Sequence, residues 1–125
     1  ERDLLRECQR HRCYDVAYDP YNSQSTAERL ETEGLEPASM TQSCRYQNEP
    51  IQELRACIAD GRFLHDGNSC LKWMIGNAVL VHDRQDRVMY DKKASAEKID
   101  GIVAMTMALG RAMHAQSKSN GYFTY

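Results

Sequence analysis

Long apolar runs are missing from this sequence. No stretch approaches the roughly 18 consecutive apolar residues that a membrane-spanning helix needs, and the charged start over residues 1–6 lacks the pattern of a secretion signal. We therefore expect a protein without a membrane segment that works in the cytoplasm. The chain has 125 residues, of which 42% are hydrophobic and 27% are charged, and this is enough for one globular domain with a modest core.

Cysteines at metal-binding spacing are missing too. The five cysteines are scattered, and no two of them form a Cys-x-x-Cys pair, so the sequence indicates neither a disulfide framework nor a zinc clip. A weaker alternative is a zinc site built from His65, Cys70 and His82, although their spacing fits no closed zinc site well.

Glycine-rich phosphate loops are also absent. Neither Gly-x-x-x-x-Gly-Lys nor Gly-x-Gly-x-x-Gly occurs, which excludes nucleotide binding through either loop. The chain has no excess of basic residues, because its net charge is −2. This charge argues against a protein whose main role is non-specific nucleic-acid binding, since such proteins are usually basic. Positive charge is nevertheless concentrated locally, either as solvated faces or as a binding surface. One such basic group consists of Arg84, Arg87, Lys92, Lys93 and Lys98.

Helices and strands alternate in the first third of the chain. Apolar residues at helical spacing predict a helix over residues 2–11, and an aromatic, β-branched run predicts a strand over 13–19 that Pro20 stops. A capped helix ending before Gly34 and a returning strand over 36–40 follow.

The middle of the chain carries further helix signals. Asn48 followed by Pro50 predicts a helix start, and the apolar face that follows ends at Gly61. A second helix is predicted over 71–77, and extended arms over 78–82 and 87–90 flank a polar turn. The order of elements indicates an α/β fold with a mainly parallel sheet.

The last predicted helix begins with an acid. Ser95 predicts its N-cap, and apolar residues on nearly every side predict that the helix is buried on most faces. Asp100 lies on one stripe with Val103 and Met107, so its carboxylate should face the core and needs a cation, donors or the helix start beside it. It could equally cap the helix.

Asp19 is the other candidate acid, because ligands gather at the carboxyl ends of strands in open α/β sheets. Asp15 lies on the same face but about 13 Å away at the rise of a strand, so the two cannot share one ion. A magnesium ligand must lie about 2.0–2.1 Å from its metal, so Asp19 would need a partner from elsewhere, for which Asp100 is a candidate. Alternatively, Asp19 caps the turn at Pro20.

Two histidines precede acids, as His65-Asp66 and His82-Asp83. This pattern could belong to a metal ligand or a general base, but histidines beside turns are more often surface or hydrogen-bonded structural residues.

Four motifs in order resemble the nuclease half of phage terminase large subunits. They are Ala17-Tyr18-Asp19-Pro20-Tyr21, the run from Gly61 to Asn68, Leu71-Lys72-Trp73 with Gly76-Asn77-Ala78, and Lys92 or Lys93 followed by the run from Lys98 to Ala104. The resemblance covers residues from about 10 to 114. None of the motifs is specific alone.

The resemblance implies a ribonuclease H-like fold, in which helices flank a mixed sheet. It places this domain at residues 1–116, and the polar, glycine-containing composition of residues 117–125 predicts a flexible tail. In the family this domain cuts concatemeric double-stranded viral DNA during packaging, in the cytoplasm of the host cell, while a separate ATPase domain drives translocation. The implied partners are double-stranded DNA, the ATPase domain of the same parent protein, the terminase small subunit and the portal protein, with no membrane.

The resemblance also assigns the site. Asp19 matches the acid of the family's Tyr-Asp-Pro strand end and Asp100 that of its Lys-Ile-Asp-Gly helix start, so both are expected to be catalytic ligands of two Mg²⁺ or Mn²⁺ ions. Basic residues near the site would contact DNA phosphates. These expected DNA-binding residues are Lys93, Lys98, Arg84 and Arg87.

The sequence departs from the family pattern in two places. The strand that carries the family's first catalytic acid has no counterpart, so the fold is expected to be incomplete at its N-terminal side, consistent with a chain that starts without methionine. Cys70 stands where a proline is expected. The alternative function is therefore a non-catalytic fragment or docking module of the packaging motor, which binds DNA or a partner protein without hydrolysis.

Overall fold

A computed structural model describes residues 2–13, 15–21 and 23–119. Within these ranges the chain divides into two compact units, with the boundary between Thr41 and Gln42, and each unit has its own pair of strands. The elements are α1 (Arg2–His11), β1 (Asp15–Tyr18), α2 (Gln24–Thr32), β2 (Glu36–Ser39), α3 (Cys44–Ala59), α4 (Ser69–Asn77), β3 (Leu80–His82), β4 (Val88–Tyr90) and α5 (Asp100–Ser119).

The first unit is a strand, helix, strand crossover preceded by α1. Strands β1 and β2 are parallel, with Tyr18 opposite Ser39, and α2 connects them. Ala27 and Leu30 of α2 are buried, which gives this helix the apolar face that a crossover helix needs. Gly34 has a φ of 81°, a conformation that favours glycine, and it turns the chain back into β2. The predicted order of elements is confirmed here.

The second unit packs three helices with an antiparallel hairpin. Strands β3 and β4 pair with His82 opposite Val88, as the two predicted arms indicate. Helix α3 packs against both β4 and α5, and α4 packs against α5. The core side chains are Ile51, Leu54, Val88, Tyr90, Ile99, Ile102, Val103 and Met107.

Helix α3 begins earlier than the sequence predicts. Its first residue is Cys44, so Pro50 lies buried inside the helix, and Asn48 is no cap. The Asn48 side chain instead accepts a hydrogen bond from the backbone N–H of Val88 at 3.0 Å. The predicted start at Asn48 is wrong because the side-chain oxygen of Asn48 is bonded to β4, 40 residues further along the chain, and does not cap a helix.

Helix α5 also differs from the prediction at both ends. Ser95 does not cap it, because the Ser95 hydroxyl donates to the Asp91 carbonyl at 2.7 Å and accepts from the Val79 N–H at 3.3 Å. The helix runs to Ser119, three residues into the predicted tail, and residues 120–125 of that tail lie outside the described residues. In the described ranges, no helix is both long enough and apolar enough to cross a bilayer.

Candidate active site

Asp100 is the first residue of α5 and points into solvent. Its side chain is 67% exposed, whereas the buried face of the helix is formed by residues such as Ile102, Val103 and Thr106. The expectation that this carboxylate faces the core is therefore wrong. Side chains on a helix tilt toward its N-terminus, so the side chain of the first residue projects beyond the first turn, which α4 contacts through Met74.

The Asp100 carboxylate has a cation beside it. The ammonium Nζ of Lys92 lies 2.9 Å from Asp100 Oδ1, and the Lys92 side chain is 57% exposed. The hydrogen bond and the charge of Lys92 lower the pKa of Asp100, and the charge of Lys98 contributes in the same direction. The N–H groups of the first helical turn favour a negative charge at this position as well. Asp100 is therefore ionised at neutral pH.

Helix α4 holds the start of α5 in place. The backbone N–H of Gly101 donates to Sδ of Met74 at 3.2 Å. A Cβ atom built on Gly101 would lie 2.6 Å from the same sulfur and 4.0 Å from a methyl group of Leu71. A side chain at position 101 would have to displace the Met74 side chain, so the close approach favours glycine after Asp100.

Asp19 follows β1 directly, at the carboxyl end of the parallel pair. It is half-buried, and its Oδ1 accepts a hydrogen bond from the backbone N–H of Tyr21 at 3.1 Å. Asp19 thus caps the turn at Pro20, which is one of the two roles predicted for it from the sequence. Asp19 belongs to the first unit and Asp100 to the second.

The predicted DNA-binding residues differ in their surroundings. Arg87 is bound to Asp83, with its Nη2 2.7 Å from Oδ2, and the Arg87 hydrogen bond lowers the pKa of Asp83. Arg84, in the hairpin turn, and Lys93 and Lys98, which precede α5, are exposed. Three of the four predicted DNA-binding side chains are thus exposed, and the fourth, Arg87, forms an ion pair with Asp83.

The two histidines with neighbouring acids have local structural partners. Nδ1 of His65 accepts from the backbone N–H of Gly67 at 3.0 Å, and its ring stacks on Phe63 with centroids 5.6 Å apart. Nδ1 of His82 lies 2.8 Å from Asp86 Oδ1.

Across residues 2–13, 15–21 and 23–119, no three His, Cys, Asp or Glu side chains come together where they could hold a metal ion. The zinc alternative from His65, Cys70 and His82 is therefore wrong.

Lys92 is the residue that sequence reasoning failed to single out. The basic motif before α5 contains Lys92 and Lys93 in succession, and spacing could not decide between them. The structure shows that Lys92 contacts Asp100, whereas the backbone N–H of Lys93 donates to Asp91 Oδ1 at 2.9 Å. A preference for Lys92 would have required knowledge of the turn that Asp91 forms.

Comparison with known families identifies the class of this chain. Residues 8–116 match the family model described as the terminase large subunit, endonuclease domain. The match covers most of the sequence, so the chain belongs to this family.

Particular relatives agree with that class. The chain is 40% identical over 97 residues to protein YmfN of Escherichia coli (strain K12), covering 76% of this chain and 21% of YmfN. It is 33% identical over 73 residues to the terminase large subunit of Enterobacteria phage HK97, covering 58% of this chain and 14% of that protein. The chain thus spans about a fifth or less of these relatives.

A solved structure supports the same fold. The crystal structure of the HK97 bacteriophage large terminase superposes with a TM-score of 0.78 and 24% sequence identity, over 87% of this chain and 23% of the other. The fold is therefore α/β and ribonuclease H-like, as the resemblance implies. Its described strands form one parallel and one antiparallel pair.

Proposed function

We propose that this chain is the endonuclease part of a terminase large subunit and hydrolyses phosphodiester bonds of concatemeric double-stranded DNA with two Mg²⁺ or Mn²⁺ ions. The observation that carries the proposal is the ionised, solvent-facing carboxylate of Asp100 at the start of α5, within the segment that matches the endonuclease family. The parent protein would contain the ATPase domain and would work with the small subunit and the portal protein in the host cytoplasm.

The donor chemistry of the two acids fits a hard divalent cation. Asp100 offers carboxylate oxygens that are ionised and open to solvent, which is the ligand type that Mg²⁺ and Mn²⁺ prefer. Oδ1 of Asp19 accepts one N–H, and a carboxylate can accept several ligands. Asp19 and Asp100 would therefore each hold a metal. Bound ions would supply Lewis-acid stabilisation of the phosphate charge.

The exposed cations suit a role in positioning DNA. Lys93 and Lys98 lie on the segment that leads into Asp100, and Arg84 lies in the β3–β4 turn, all open to solvent. Such side chains can reach phosphate oxygens and fix the backbone next to the carboxylate without reading sequence. Arg87 would have to keep its bond to Asp83 while it contacts a phosphate, so we expect its contribution to be smaller.

The experiment is plasmid nicking with Mn²⁺ by the full-length product of the reading frame that encodes this chain. We expect Asp19→Asn and Asp100→Asn each to lower nicking more than about 100-fold, because loss of a direct ligand should exceed the 10- to 100-fold cost of losing an outer-shell partner. Asp86→Asn is the matched control, since Asp86 is an exposed acid of the second unit that also has a basic partner. Nicking that is equal in all variants would exclude the assignment.

The second candidate is a docking module that binds DNA or a protein of the packaging motor without hydrolysis. The observation that favours it is that both acids already have structural partners, Asp19 in the Pro20 turn and Asp100 in the ion pair with Lys92. This candidate predicts that the wild-type protein binds DNA in a salt-dependent manner but leaves the plasmid intact with Mn²⁺.

A further inference from the structure

The ammonium group of Lys92 is bonded to Oδ1 of Asp100, one of the two carboxylate oxygens that a divalent ion could bind. We propose that Lys92 is an internal cation that occupies Asp100 until a divalent ion displaces it, and that the released ammonium then contacts a DNA phosphate. This inference rests on the proposed function, because it requires Asp100 to be a metal ligand.

Geometry makes the two cations competitors. The Lys92 ammonium lies 2.9 Å from Asp100 Oδ1, and a magnesium ion would bind such an oxygen at about 2.0–2.1 Å. Both carry positive charge, so a divalent ion on the same carboxylate would lie within a few ångströms of an ammonium group and be repelled by it. The ion therefore binds Asp100 best when Lys92 has moved away.

Displacement of Lys92 is easy. Both side chains of the pair are more than half exposed, at 57% for Lys92 and 67% for Asp100. Ion pairs of this kind contribute little to stability because water screens them and two flexible side chains must be held. The flexible stem of a lysine then lets the ammonium swing to a phosphate oxygen near the carboxylate.

The local turn selects Lys92 over its neighbour. Asp91 Oδ1 accepts hydrogen bonds from the backbone N–H groups of Lys93 at 2.9 Å and Ala94 at 3.0 Å. This turn places the side chain of Lys92 next to Asp100. In the part of the chain that the structure describes, the side chain of Lys93 makes no hydrogen bond or ion pair with Asp100. Lys93 is therefore a control residue with the same charge at the adjacent position.

An opposite role for Lys92 makes a different prediction. If Lys92 only oriented the carboxylate for the metal, its removal would weaken metal binding, as loss of an outer-shell partner does. Competition predicts tighter binding instead. The sign of the change therefore separates the two roles.

The test is an NMR titration of the full chain with MnCl₂, in which the paramagnetic ion broadens the amide signals of Gly101 and Ile102. We expect Lys92→Met to lower the Mn²⁺ concentration for half-broadening about two- to fivefold, the range that loss of a surface ion pair implies. Lys93→Met should change it less, and Lys92→Arg should bring it back to the wild-type value or above.

Each pattern of results decides a different question. Tighter binding in Lys92→Met than in Lys93→Met supports the inference, and equal or weaker binding in Lys92→Met overturns it while leaving Asp100 as a ligand. If Asp100→Asn broadens like the wild type, Asp100 does not bind the ion, and both the metal role in the proposed function and the competition by Lys92 are excluded.

Discussion

The side chain of Gln47 accepts the backbone hydrogen bond of Tyr90 that a neighbouring strand would otherwise accept. Gln47 is buried, and its Oε1 accepts the backbone N–H of Tyr90 at 2.8 Å. Two residues earlier on the same edge of β4, Asn48 accepts the N–H of Val88 at 3.0 Å. Strand β4 therefore pairs with β3 on one side and with two side chains of α3 on the other.

Replacing Gln47 should test this edge. Gln47→Leu leaves the buried N–H of Tyr90 without an acceptor, so we expect the free energy of unfolding to fall by about 1–3 kcal/mol. Urea denaturation followed by circular dichroism measures the change. Gln52→Leu makes the same substitution at an exposed position of α3, and it should alter stability by no more than about 0.5 kcal/mol. Equal losses in the two variants would contradict the role of Gln47.

A second prediction concerns the hydroxyl pair that joins β4 to α5. The hydroxyl of Thr106 donates to the Ile102 carbonyl at 2.9 Å, so in the 2.8 Å contact between Tyr90 and Thr106 it is Tyr90 that donates. Tyr90→Phe removes one donor and leaves Thr106 bonded, which should cost about 0.5–1.5 kcal/mol. Thr106→Val leaves the buried Tyr90 hydroxyl without its acceptor, which should cost about 1–3 kcal/mol.

The order of these two losses is the informative result. If Tyr90→Phe destabilised the fold more than Thr106→Val in thermal or urea unfolding, the assigned direction of the hydrogen bond would be wrong. Burial raises the pKa of Tyr90, so the ultraviolet absorbance of ionised tyrosine should show one tyrosine that titrates above the ordinary value of 10.0. That signal should be missing in Tyr90→Phe.

Local signals were sufficient for much of the fold but not for the start of α3. The crossover of the first unit follows from short-range features, such as Gly34, which ends α2 and turns the chain back into β2. At α3, Asn48 and Pro50 together predict a helix start, but the helix begins at Cys44 and the Asn48 side chain bonds to Val88 instead. No local sequence pattern reveals this contact.

The metal-binding role of Asp19 and Asp100 stays a prediction from the four motifs, whereas the predicted burial of one of them is wrong. The apolar stripe of α5 predicted a buried carboxylate, but the Asp100 side chain is exposed. A helical stripe predicts which residues share a face, whereas the packing at the first turn of α5 depends on α4, which is distant in sequence. The choice of Lys92 over Lys93 likewise depends on the Asp91 turn.

A third prediction is a pH dependence at the β3–β4 turn. In the folded chain the Arg87 side chain lowers the pKa of Asp83 below its ordinary value of 3.8, with help from the backbone N–H groups of Arg87 and Gln85. A carboxyl group with a lowered pKa stabilises the fold above its unfolded value, and this stabilisation is lost as the pH falls through the folded value. The turn should therefore weaken below about pH 4.

Carbon-13 NMR of the Asp83 carboxyl group measures its titration directly. Arg87→Gln should move the midpoint upward, because the side-chain hydrogen bond of Arg87 is the largest cause that lowers the pKa of Asp83. Arg84→Gln removes the same charge from the same turn without touching the Asp83–Arg87 bond, so its midpoint should stay close to the wild-type value. An equal rise in both variants would show that general charge, and not the Arg87 contact, controls Asp83.

The last prediction concerns the contact that fixes the start of α5 beside Asp100. Alanine is a better helix residue than glycine by up to about 1 kcal/mol, but a Cβ on Gly101 would lie 2.6 Å from Met74 Sδ. Overpacking of this kind costs about 1–3 kcal/mol, so we expect Gly101→Ala to lower the free energy of unfolding. In a Met74→Ala background the clash is gone, and the same change should be neutral or stabilising.

The two changes should therefore couple by about 1–3 kcal/mol in a double-mutant cycle measured by urea denaturation. Gly76→Ala is the control, because a Cβ at Gly76 meets no atom within 4 Å, and its effect should be the same with Met74 or Ala at position 74. If the Gly101 and Met74 substitutions added without coupling, Met74 would not be the residue that restricts position 101. Because Gly101 follows Asp100 directly, strong coupling would mean that α4 sets the direction of the carboxylate through its packing on the first turn of α5.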